Sequence, residues 1–181
     1  MKNLKIQLVL VMSVIMTTLS YGQTKMEVSK EVSPSKNIVE TAVNSEVHTT
    51  LVAAVKAADL VETLSSDGPF TVFAPTNSAF ANLPEGTVET LLKPENIKQL
   101  QAVLTYHVIA GKFSASDVVA AIKKGDGKVE FKTVNGGMVT AMLDGKSVKI
   151  KDSKGNVATV TIADLDQTNG VIHVIDTVLL P

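Results

Sequence analysis

Thr71-Val72-Phe73-Ala74-Pro75-Thr76-Asn77-Ser78-Ala79-Phe80 reads as a strand that runs into a corner. Phe70 to Ala74 are β-prone, and Pro75 cannot continue a hydrogen-bonded ladder. Thr76 or Asn77 is then placed to cap a short helix that carries Ala79 and Phe80 inward. One hundred residues on, Asn169-Gly170 forms a turn pair, with the glycine expected to supply a positive φ. The strand it opens, Val171-Ile172-His173-Val174-Ile175, is apolar on both faces apart from its histidine. That pattern belongs in the middle of a sheet.

Working outward from these two segments, the chain from Asn37 to about Lys124 follows helical periods. Leu51, Val52, Val55, Ala58 and Leu60 make one stripe, which Val61 and Leu64 continue across a kink. Pro94 sits at a helix start, with Ile97, Leu100, Val103 and Leu104 as the apolar face that follows. Ser114-Ala115-Ser116-Asp117 has capping-box spacing ahead of Val118, Val119 and Ile122. From Lys128 the period switches to two, and Asn135-Gly136-Gly137, Asp144-Gly145 and Lys154-Gly155-Asn156 mark turns between strands. The strands are expected near Lys128–Thr133, Met138–Leu143, Ser147–Asp152 and Val157–Ala163. The expected class is α+β, a helix-rich first half packed on an antiparallel meander or sandwich. The expected core contains Phe73, Phe80, Leu100, Leu104, Val160, Val174 and Ile175.

Three of these elements together resemble the fasciclin domain family. Thr71, Phe73, Pro75, Thr76, Asn77 and Phe80 carry the first resemblance, Tyr106-His107-Val108 the second, and Asn169, Gly170 and His173 the third. Their order and separation fit one complete domain over 37–181, as in a single-domain secreted protein of bacterial type. The resemblance implies a fasciclin-like fold and a secreted adhesion or interaction module. Its partner would be a protein or a glycan-bearing surface, with weak self-association left open. It further implies partner contacts at Tyr106, His107, Asp164 and Leu165, although Leu165 stands where animal members have isoleucine. A second implication is a carrier of an apolar small molecule, a pigment or lipid, in the periplasm or outside the cell.

Composition removes several other classes. The 181 residues hold seventeen lysines and no arginine against eighteen acidic residues, a formal charge of −1. No guanidinium fork is present to grip phosphate, and the balance argues against a nucleic-acid partner. Cysteine is absent, so disulfides, thiol nucleophiles and Cys-ligated metals are excluded. His48, His107 and His173 lack metal-ligand spacing. His107 reads as partly buried beside Tyr106, His173 as a satisfied core histidine, and His48 as a surface residue at a helix start. The run from Asp164 to Gly170 places glycine at its seventh position and Ile175 at its twelfth, which is not a calcium loop. Lys124-Gly125-Asp126 reads as an ordinary solvated loop. No G-x-S-x-G elbow or phosphate-binding glycine loop occurs, so neither an enzyme nor a cofactor is expected.

The start of the chain supplies the compartment. Lys2 and Lys5 precede an apolar run from Ile6 to Leu19, and Ser20-Tyr21-Gly22 places small residues at the cleavage positions. This is the pattern of a signal peptide over residues 1–22, and the run is shorter than the roughly 18–20 residues a bilayer span needs. Residues 23–36 are polar and without period, a flexible leader to the domain at 37–181. The product is expected to be exported to the periplasm, cell surface or medium, with no transmembrane segment after cleavage.

Overall fold

The computed structural model describes residues 34–181, so the expected signal peptide and residues 23–33 of the leader lie outside the described residues. Lys36 already belongs to the fold, since its carbonyl accepts from the Thr168 N–H at 3.0 Å.

Helix α1 (Ile38–Val43) opens with a capping box in which Asn37 and Glu40 exchange side-chain and backbone hydrogen bonds. The long apolar stripe becomes α2 (Thr49–Ala57) and α3 (Val61–Ser65). They are separated at Asp59, whose φ is +56°. Strand β1 (Phe70–Pro75) ends at the proline, and Thr76 caps α4 (Asn77–Ala81) by accepting from the Ala79 N–H. After α5 (Thr87–Leu91), a 3-10 turn begins at Pro94 and leads into α6 (Ile97–Tyr106). Strand β2 (Val108–Ala110) and helix α7 (Ala115–Lys124) complete the first half. The expected capping box at Ser114 is present, and the Ser114 hydroxyl and N–H hold the Asp117 carboxyl below its ordinary value.

The second half is β3 (Lys128–Lys132), β4 (Met138–Asp144), β5 (Ser147–Lys151), β6 (Val157–Gln167) and β7 (Gly170–Ile175). All seven strands form one sheet in the order β2-β1-β7-β6-β5-β4-β3. The meander from β3 to β7 is antiparallel as expected. The sheet as a whole is mixed, because β1 and β7 pair in parallel from Phe70–Gly170 to Pro75–Ile175. Periodicity identifies each strand but carries no information about pairing direction. Ile109 bridges Thr133, so β2 and the end of β3 meet and the sheet curls round on itself.

Curling splits the core. Val72 and Ala74 face one cluster, formed with Leu51, Val55, Leu64, Phe80, Leu100 and Leu104 under the helices. Phe73 faces the other, inside the curl, with Tyr106, Ile122, Phe131, Ile150 and Ile175. The alternation of a strand thus serves two interiors at once. Phe73, Phe80, Leu100, Leu104, Val174 and Ile175 are buried as expected. Val160 is only half-buried, because β6 is longer than its sequence pattern indicated and shifts register twice against β7, between Val160 and Ile162 and again before Leu165.

One more expectation changes. Gly170 has no positive φ; its glycine is required by proximity, since a Cβ there would lie 2.0 Å from the Phe70 carbonyl oxygen. Asn169 closes the same junction. Its Oδ1 accepts from the Ile38 N–H, its Nδ2 donates to the Leu64 and Ser66 carbonyls, and its own carbonyl accepts from the Phe70 N–H.

Asn169→Ala leaves buried backbone groups without partners and is expected to cost about 3 kcal/mol. Gly170→Ala forces the β1 backbone aside and should cost about 2–3 kcal/mol. Urea unfolding followed by circular dichroism measures both. A loss under about 1 kcal/mol for Asn169→Ala would remove the residue from this role.

Candidate functional site

Helix α6 buries Leu100, Val103 and Leu104, and its last residue, Tyr106, is delivered into the inner core with no exposed surface. The Tyr106 hydroxyl donates to the Met138 carbonyl at 2.6 Å and accepts from the Ser153 N–H at 3.0 Å. His107 is buried as well. Its Nδ1 donates to the Val103 carbonyl at 2.8 Å, which leaves Nε2 to accept from the Leu179 N–H at 3.0 Å. Removal from water pushes the imidazole down to about 4, an effect only partly offset by the Val103 carbonyl and the Asp152 charge. The ring is neutral, fixed in one tautomer and fully occupied. The expectation that Tyr106 and His107 meet a partner does not fit this placement, because neither offers side-chain surface.

Asp152, which the sequence reading passed over, completes the arrangement. Its Oδ1 accepts from the Lys154 and Asn156 N–H groups, and its Oδ2 from the Asn156 Nδ2 and the Leu180 N–H. The signal was available in Asp152-Ser153-Lys154-Gly155-Asn156, an aspartate opening a glycine turn. Together His107 and Asp152 pin consecutive backbone amides of the final segment.

His173 plays a similar part on β7. It stacks near Phe73, with ring centroids 5.8 Å apart, donates from Nε2 to the Phe113 carbonyl and accepts at Nδ1 from the Asp164 N–H. Asp164 has φ +58° at the irregularity in β6, and its Oδ1 accepts from the Ala115 N–H at 2.7 Å, at the start of α7. Asp164 is exposed but its carboxylate is engaged; Leu165 is half-buried against the helical core. Thr71 is fully buried, donating to the Gly111 carbonyl and accepting from the Phe113 N–H. Asn77 does not cap its own helix. Its Oδ1 accepts from the Thr50 N–H and Thr49 hydroxyl at the start of α2, and its Nδ2 donates to the Glu46 carbonyl.

His48 departs from expectation. It is buried at the start of α2, bonded to the Ser45 hydroxyl through Nδ1, with Nε2 lacking a well-aligned partner. Burial pushes its imidazole below the ordinary value, against a smaller opposing effect of the Ala74 carbonyl. The residue is drawn inside because α4 packs against the start of α2 and the turn that carries His48, with Ala74 of β1 beside the ring. Among the described residues, no group of three histidine or acidic side chains could hold a metal ion.

A cavity of about 100 Å³ opens between α1, α2, α3 and β1. Leu104, Val72 and His107 form its buried floor; Val43, half exposed, and the exposed Lys56 stand at its mouth. Its walls are almost wholly apolar. The spacing of Ile38, Val39, Ala42 and Val43, apolar on adjacent helical rows, was the available sequence signal.

Against known proteins, the Fasciclin domain pattern matches residues 46–181. The chain belongs to the fasciclin domain family. Among its fasciclin relatives, protein sll1483 of Synechocystis is 55% identical over 148 residues, covering 80% of this chain and 73% of that protein. Immunogenic protein MPB70 of Mycobacterium bovis is 38% identical over 145 residues, covering 77% of this chain and 66% of that one. In fold, the chain is similar to the fasciclin domain pair of the insect cell adhesion molecule fasciclin I. The TM-score is 0.71 at 18% identity, over 82% of this chain and 52% of that one. Helix α1, which roofs the cavity, precedes the residues matched by the fasciclin pattern.

The buried imidazole sets a pH dependence on this fasciclin domain. His107 sits at about 4 when folded and near its ordinary 6.5 when unfolded, so between these values only the unfolded chain takes up the proton. The contribution is complete above pH 6.5 and is lost as pH falls toward 4, about 3 kcal/mol in all. Urea titrations at pH 7, 5.5 and 4 should show this decline. His107→Gln should flatten most of the slope while lowering stability at pH 7.

Proposed function

We propose that the protein is an exported fasciclin interaction module that binds a protein or glycan-bearing partner at the cell surface or in a matrix. The observation that carries this reading is the commitment of five buried polar side chains to groups within the fold. Tyr106, His107, Asp152, Asn169 and His173 are all spent on carbonyl and amide groups within the fold. None presents a free nucleophile or base in an open cleft, the geometry an enzyme needs. Contact with a partner then falls to the outer surface. Export is supported by the signal-peptide pattern of the first 22 residues, and no described helix is long and apolar enough to cross a membrane.

A carrier reading has one observation in its favour, the apolar cavity beneath α1. It is compatible with surface binding, since the two use different parts of the molecule.

One small domain gains firm attachment only by multivalent display. Beads coated densely with the protein should be retained on cells or matrix of its native environment at least about a hundredfold more than the soluble domain. Retention equal to that of beads coated with an unrelated domain would overturn the adhesion reading.

A further inference from the structure

The cavity beneath α1 constrains what it can hold. Its floor offers no polar group, because both ring nitrogens of His107 are taken by the Val103 carbonyl and the Leu179 N–H. The end of a ligand that reaches the floor must therefore be apolar. Its walls are alkyl side chains from α1, α2, α3, β1 and α6, with the His107 imidazole at the floor, while the Phe73 side chain belongs to the inner core on the opposite face of β1. A flat polycyclic ligand would find little to stack on, whereas a flexible hydrocarbon chain can follow such walls. An enclosed apolar cavity of about 150 Å³ takes up a benzene-sized hydrocarbon. At about 100 Å³ this one can enclose the end of a longer chain, whose remainder lies along the open apolar lip.

The mouth carries the complementary half of the argument. Val39 and Val52 are half-buried and Val43 is half exposed, so an apolar lip continues the cavity toward solvent. Lys56 is the one formally charged side chain in the lining. It is exposed and has no ion-pair partner among the described residues. A lysine can lay its methylene stem along an apolar wall while its ammonium stays at the water boundary.

We propose that this cleft binds a linear alkyl chain bearing an anionic head group, tail against Leu51, Val55, Leu64, Val72 and Leu104 and head group against the Lys56 ammonium. The proposal rests on the carrier reading and gives it a ligand chemistry. A few placed polar groups on an apolar cleft are the usual means of fixing a small ligand's orientation.

Dodecanoate, dodecanol and dodecyltrimethylammonium, each below its aggregation limit, are the probes. Calorimetry with the intact protein reads affinity and stoichiometry, and methyl NMR shifts locate the site. Dodecanoate should bind one to one, at least about tenfold more tightly than either other probe, with shifts centred on Leu51, Val55 and Leu64. Lys56→Glu lies on the surface and leaves the fold intact. It should weaken dodecanoate at least about tenfold, change dodecanol less than about twofold and strengthen the ammonium probe. Ala42→Phe, which fills the cavity, should abolish binding of all three. If dodecanol binds in the cavity as tightly as dodecanoate, or Lys56→Glu changes nothing, the head-group proposal fails while the carrier reading stands. If no probe binds, or binding survives Ala42→Phe with shifts elsewhere, both fail.

Discussion

The carboxamide of Asn169 is the clasp on which the domain depends. It holds the first amide of α1 and two carbonyls at the end of α3, while the backbone of the same residue holds the first amide of β1. The start of α1, the passage from α3 into β1 and the turn before β7 are therefore fixed to one point. Gly170 follows at once, and its missing side chain lets β1 lie close enough to continue the junction as a parallel ladder. Loosening this point would release the sheet's centre and the helical roof together.

Buried polar groups do the cross-linking that disulfides or ion pairs do elsewhere. There is no cysteine, and the ion pairs seen, Lys112–Asp166 and Lys149–Asp144, are exposed to different degrees at the surface. Such pairs contribute at most about 1 kcal/mol. Tyr106, His107, Asp152 and His173 instead join elements by hydrogen bonds to main-chain atoms in a medium where leaving those atoms unpaired is costly. Neutrality of His107 is part of the arrangement, since its Nε2 can accept from Leu179 only while unprotonated.

Much of this was legible in the sequence because it is local. The Pro75 corner, the kink between α2 and α3, the Ser114 box and the glycine turns each follow from residues within a few positions of one another. The buried character of β7 followed from its two apolar faces. What stayed hidden depends on contacts between distant segments. The parallel pairing of β1 with β7 leaves no periodic trace, and the reason for Gly170 lies one hundred residues away at Phe70. His48 beside two threonines looks polar and superficial until α4 is packed against it. Asp164 and Leu165 were singled out through resemblance, yet the carboxylate proves to cap α7 across the fold. The apolar rows of α1 hinted at a second packing face, but whether that face is filled or left as a cavity depends on how α2, α3 and β1 meet it.

The central ladder also governs when the molecule can become itself. Since β1 aligns with a strand at the far end of the chain, the middle of the sheet has to wait for the last dozen residues before it can close. Contacts of such long sequence separation slow folding, because a large loop must be ordered first. Until residue 175 has emerged, the earlier helices and hairpins lack the strand that joins them. A polypeptide with that delay keeps its central ladder open while the roughly one hundred residues between β1 and β7 are still being ordered.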